Sequence, residues 1–132
     1  MRSLDTNVLV RYLAADHARQ LAVAEGLIEE CRKTNEPLYL TVLALCELVW
    51  VLSRSYGQPK AAIVGVLEQI LQMEQFRIEQ EVLVRRSLES YRAGKGNFAD
   101  YLIGEASRQA GCRDTVTFDR KLNGESGFTL LS

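Results

Sequence analysis

The chain has 132 residues, with 16 Lys or Arg against 17 Asp or Glu and a formal net charge of −1. That length suits one domain with a real core, and 47% hydrophobic with 25% charged residues is a globular composition rather than a disordered or fibrous one. So even a balance gives no global field to draw the chain onto nucleic acid or an anionic membrane, so such binding has to come from local patches or bound cations.

In chain order, strand character covers Arg2–Leu4, and Asp5 ends it while opening a helical segment, "DTNVLVRYL". A helix follows with Leu21, Ala24, Leu27, Ile28 and Cys31 on one face and Asp16 as its expected N-cap. A strand over Leu38–Thr41 leads into a segment, Val42 to Leu52, that is apolar throughout except for Glu47. After the break Gly57-Gln58-Pro59 comes a helix with Ile63, Val66, Leu67, Ile70 and Leu71 on one face, then a strand over Phe76–Glu79. Val84, Leu88 and Tyr91 mark another helix. Lys95 lies between Gly94 and Gly96 in an expected flexible loop, and Leu102, Ile103, Ala106 and Ala110 mark the next helix. Strands over Thr115–Thr117 and Phe128–Leu131 close the chain, with a short turn at Arg120–Asn123 between them.

Strands separated by helices predict an α/β domain spanning residues 1–132, with a mostly parallel sheet of about five strands sandwiched by helices in three layers. Ligands in such sheets bind beyond the carboxyl ends of the strands. No segment has the roughly 18 uninterrupted apolar residues of a spanning helix. The opening "MRSLD" has no apolar signal region, so a cytoplasmic chain with no membrane partner is expected. Cys31, Cys46 and Cys112 are far apart and form no C-x-x-C pair; with His17 the sole histidine, they read as reduced core or surface thiols rather than a zinc site.

Four acids stand in apolar company: Asp5, Glu47, Asp100 in "NFADYLI" and Asp119 in "TFDRKL". For three of them a structural role is open beside a functional one. Asp5 fits an N-cap, Asp100 falls three residues after Asn97 as in a capping box, and Asp119 could cap the following turn. Glu47 sits mid-helix, caps nothing and has no Lys or Arg within four residues; a distant Arg partner is its structural alternative. Carboxylates gathered in one dry cleft repel unless a cation joins them. Oxygen ligands without His or Cys select Mg²⁺ or Mn²⁺, which can activate water for attack on a phosphodiester.

"LDTNVLVRYL", the lone glutamate of "ALCELVWVL", "FADYLIGEASRQAG" and "TVTFDRKL" together resemble, in order and spacing, the PIN-domain nucleases, and within them the VapC toxins of bacterial toxin–antitoxin pairs. The resemblance covers Ser3 to Leu131. It implies a PIN-like fold, a Mg²⁺- or Mn²⁺-dependent ribonuclease acting on RNA, a cognate antitoxin and a homodimer. Asp5, Glu47, Asp100 and Asp119 match the family's acidic quartet, with Asp5 and Asp100 most directly associated with the metal. Asn7 and Thr117 match its supporting polar positions.

Arg85, Arg86, Arg92 and Lys95 precede Asp100, and Arg120 and Lys121 follow Asp119; Lys95 and Arg120 are the candidates for holding RNA phosphates, a solvated helix face being the alternative for Arg85 and Arg86. Trp50 is expected in the core rather than stacked on a base. Two rival functions stay open: an aspartyl-phosphatase-type enzyme, weakened because Asn7 stands where its second aspartate belongs, and a non-catalytic interaction module whose acids are caps.

Overall fold

Leu38 and Leu40 are completely buried, and around them the first half of the chain is built. The computed structural model describes residues 1–14 and 16–132, and the chain forms two compact units, Met1–Glu81 and Val82–Ser132.

In the first unit, β1 (Arg2–Ser3), β2 (Leu38–Leu40) and β3 (Phe76–Ile78) form a parallel sheet in that order, with Arg2 beside Leu38 and Leu38 beside Phe76. Its helices are α1 (Thr6–Ala14), α2 (Ala18–Lys33), α3 (Val42–Arg54) and α4 (Lys60–Gln72), with α1 packed against α2 and α3. Helix α3 starts where Thr41 Oγ1 accepts from Ala44 N at 3.0 Å, and it buries Ala44, Leu45, Leu48, Val49 and Leu52. Each such leucine contributes about 1.5–3 kcal/mol by leaving water.

The opposite stripe of α3 faces out. Leu43 is 69% exposed and Trp50 60%, and Glu47 between them is exposed as well. The expectation of a core Trp50 is therefore wrong: it lies three residues from Glu47, on the helix's outer side. The expected Asp16 cap is also corrected, because His17 is the N-cap of α2 and its Nδ1 accepts from Gln20 N at 3.2 Å.

The second unit holds α5 (its helix spans Glu81–Ala93), α6 (Phe98–Gln109), β4 (Thr115–Thr117), a 3-10 turn (Arg120–Leu122) and β5 (Phe128–Leu130). β4 and β5 pair in parallel, Thr115 beside Phe128. Tyr91 meets Phe98 edge-on at 5.8 Å between ring centres, and Tyr101 meets Phe128 at 6.2 Å. Gly104 makes the second contact possible, since a Cβ there would stand 2.9 Å from Phe128 Cζ.

The α/β class, all five strand positions and the parallel pairing are as expected. The single five-stranded sheet is not: the strands form one ladder of three and one of two. β1 contributes only Arg2 and Ser3, whose pairing is spent on β2. Helix α6 is also turned from its expected orientation, burying Phe98, Tyr101, Leu102 and Glu105 while Ile103 is 55% exposed. The loop at Gly94–Gly96 is held rather than loose, because Glu125 Oε1 accepts from Lys95 N at 3.1 Å and Tyr101 Oη accepts from Gly96 N at 3.0 Å.

Candidate metal and nucleic-acid site

Asp5 stands where β1 has ended and α1 begins. Its carbonyl accepts from Val8 N and Leu9 N at 3.1 and 3.3 Å, and its Oδ1 accepts from Thr6 N at 2.8 Å. The backbone bonds start the helix and the side-chain bond fixes the carboxylate. Thr6 is buried, 8% exposed, and its hydroxyl donates to Glu47 Oε1 at 3.4 Å. The bond is long, yet it ties the first turn of α1 to the middle of α3 and brings Asp5 and Glu47 onto one cleft of about 620 Å³.

Asn7, Val10 and Arg11 of α1 line the same cleft with Glu47 and Val51 of α3 and its C-cap Ser55, both at the three- and four-residue spacings that share a helix face. Glu47 is thus exposed to a cleft rather than enclosed by apolar side chains, and that corrects the expectation of a dry pocket. Beside it, burial pushes the Cys46 thiol up and the Glu47 charge adds to the effect. Among the described residues, no His or Cys lines the cleft. Its charged oxygens suit a hard divalent ion.

In the second unit Asp100 lies in the first turn of α6. Its Oδ2 accepts from Asn97 N at 2.8 Å, the reciprocal bond of a capping box. Asp119 follows β4; its N donates to Thr117 Oγ1 at 3.0 Å and its Oδ1 accepts from Lys121 N at 2.9 Å. Thr117 therefore holds the backbone that carries Asp119. Asp5, Asp100 and Asp119 each accept from a backbone N–H through one oxygen; at Asp100 and Asp119 that bond caps a helix start, while Asp5 accepts from the adjacent Thr6 N. A carboxylate has two oxygens, and a cap that fixes its orientation does not exclude a ligand on the other. Among the described residues, neither unit gathers three His, Cys, Asp or Glu side chains closely enough to hold a metal. Asp5, Asn7 and Glu47 are brought together; Asp100 and Asp119 belong to the other unit. Lys95, Arg120 and Lys121 are exposed.

Sequence reasoning missed Arg11, Asp16 and Tyr56 at the cleft, and Glu79, whose Oε1 accepts from Val42 N at 2.8 Å and so starts α3 from the end of β3. Arg11 was within reach, lying one turn after Asn7. Tyr56 donates to Asp16 Oδ2 at 2.6 Å. That bond holds the Asp16 carboxyl below its usual range, with Arg11 adding to the effect, and pushes the Tyr56 hydroxyl up.

Short parallel strands between helices, with acids at strand ends and helix starts, agree with a family assignment: the PIN domain family model matches residues 3–124, and the chain belongs to that family. Over 121 residues it is 29% identical to a VapC ribonuclease of Aquifex aeolicus (strain VF5), an alignment covering 92% of this chain and 89% of that protein. No helix among the described residues is long and apolar enough to cross a membrane.

Proposed function

We propose that the chain is a metal-dependent endoribonuclease and the toxin of a type II toxin–antitoxin pair, its residues 1–132 acting as a single PIN domain in the cytoplasm. The observation that carries this reading is the cleft shared by Asp5 and Glu47, far apart in sequence and joined through Thr6. Family membership over residues 3–124, which takes in both units, and similarity to a VapC ribonuclease support it.

In this reading Asp5, Glu47, Asp100 and Asp119 hold Mg²⁺ or Mn²⁺. When bound, the ion supplies Lewis-acid activation of water and offsets charge on the phosphodiester. Thr6 orients Glu47, Thr117 holds the backbone of Asp119, and the Asn7 amide is available to a polar group in the cleft. Lys95 and Arg120 grip RNA phosphates, the first from a loop that Tyr101 and Glu125 keep in place. The exposed stripe of Leu43 and Trp50 is the face by which two copies associate, and a cognate antitoxin is the remaining partner.

The test is purified chain with labelled RNA and DNA, with Mg²⁺, Mn²⁺ or chelator, alongside Asp5→Asn and Glu47→Gln. RNA cleavage that needs the metal and collapses in both variants is expected. Wild-type cleavage in both variants, or none in the unaltered chain with metal, overturns the reading; full indifference to metal favours an interaction module.

A further inference from the structure

Among the described residues, three carboxylates, Asp5, Asp16 and Glu47, line the cleft of the first unit against one cation, Arg11. A phosphodiester entering it meets repulsion from the carboxylates, and Arg11 is the side chain there that can offset it. The arrangement of its guanidinium is specific. Nε donates to Gln20 Oε1, and Nη1 donates to the Tyr56 hydroxyl at 3.2 Å and lies 3.7 Å from Asp16 Oδ1. Nη2 makes no hydrogen bond or ion pair among the described residues.

We propose that Arg11 is a phosphate-binding residue of this cleft, oriented by Gln20 and Tyr56 so that Nη2 meets an oxygen of the RNA backbone. The inference rests on the ribonuclease reading and adds to it the residue that receives the chain of phosphates. A planar guanidinium fixed through two of its nitrogens keeps its donors aimed, so less entropy is lost on binding than with a free lysine. Asp16 is a weak competitor, because a part-exposed ion pair at 3.7 Å contributes little, and it faces Nη1 and leaves Nη2 to an incoming phosphate. Tyr56 and Gln20 are positioning residues. The alternative is a purely structural Arg11 that ties the segment after α1 to the end of α3.

Binding and cleavage separate the two. Anisotropy of a fluorescein-labelled, mixed-sequence single-stranded RNA, read over a salt series with Ca²⁺ in place of Mg²⁺, reports affinity and its salt dependence. Arg11→Ala should weaken binding about tenfold or more and reduce the salt slope by about 0.7, the value of one phosphate contact on a single strand. Its Mn²⁺ affinity by calorimetry should not fall, and in cleavage KM should rise far more than kcat changes. Arg11→Lys should keep the slope but bind several-fold more weakly, for want of the fork; it carries the test if the alanine variant does not fold. Tyr56→Phe should also keep the slope and lose affinity. Wild-type affinity and slope in Arg11→Ala, whatever its melting temperature, or wild-type affinity in Arg11→Lys, overturns the proposal while leaving the ribonuclease reading intact. Failure of the unaltered chain to cleave RNA with metal overturns both.

Discussion

Tyr101 and Glu125 share the loop Gly94–Gly96 between them: the Tyr101 hydroxyl donates to Glu125 Oε1, and the two side chains accept from Gly96 N and Lys95 N. Gly94 must stay bare for this, since a Cβ there would run into the Tyr101 hydroxyl and the Glu125 carboxylate. Tyr101→Phe leaves the buried Gly96 N–H without its acceptor, a loss of about 1–3 kcal/mol. Thermal unfolding should show it as a clear drop in Tm; an unchanged Tm would mean the loop is held by something else.

The same tyrosine sets a pH dependence. Burial, with the Glu125 bond adding to it, pushes Tyr101 from 10.0 up to about 12. The folded state therefore keeps a proton that the unfolded chain gives up first, so unfolding becomes easier as pH rises. This contribution, on the order of 2 kcal/mol, is fully present below pH 10 and lost between 10 and 12. Urea titrations over that range should show the wild type losing more stability than Tyr101→Phe, and parallel curves would refute the assignment.

Asp100 separates scaffold from chemistry. Its cap on Asn97 N survives in Asp100→Asn, because an amide oxygen accepts the same bond. Unfolding free energy should stay within about 0.5 kcal/mol of wild type while metal-dependent RNA cleavage falls on the order of a hundredfold or more. Full cleavage by a stable Asn variant would leave Asp100 as a cap and nothing else.

Glu105 is on the buried face of α6 and only 7% exposed, and its Oε2 has no hydrogen-bond partner among the described residues. Its one ion pair, to Arg108 at 3.6 Å, is loose and involves a side chain that is 58% exposed. An unsatisfied buried carboxylate oxygen is expensive, so Glu105→Met should stabilise the chain by roughly 1–2 kcal/mol, raising Tm by a few degrees. A fall in Tm would show that a polar partner is satisfied there after all.

Association through α3 predicts that Trp50→Glu with Leu43→Glu gives a monomer without loss of fold, since both side chains are exposed. Sedimentation at tens of micromolar, roughly where an ordinary interface persists, should find a dimer only in the wild type. The runs need reductant, because Cys112 is an exposed free thiol and an intermolecular disulfide would imitate a native dimer.

Much of this was legible in the chain itself. Strand β2 stood out as the apolar run after Pro37, because a buried parallel strand is apolar along its length, whereas the exposed Arg2–Ser3 of β1 and the Thr-Val-Thr of β4 were legible only from their places between helical patterns. What a dense apolar run hides is which side of a helix faces in. In α3 the inner stripe through Leu45, Leu48 and Leu52 and the outer one through Leu43 and Trp50 are chemically alike, and only Glu47, on the outer side, tells them apart. In α6 the buried Glu105 misdirects the same reasoning, since polarity suggests an outward residue where tertiary packing encloses one. The acids at Asp5 and Glu47 could be paired from the sequence; their common neighbour Thr6 could not, because a hydroxyl joining two helices leaves no periodic trace.

The side-chain hydrogen bonds of Asp5, Asp100 and Asp119 run to backbone N–H groups of the chain's own turns, and none of them depends on an ion. Withdrawing the cation would therefore leave these carboxylates facing as they did before. A chelator should act on such a protein as an off-switch and not as a denaturant. Under the ribonuclease reading, the metal-free chain should stay folded, and adding the ion should restore cleavage without a fresh round of folding.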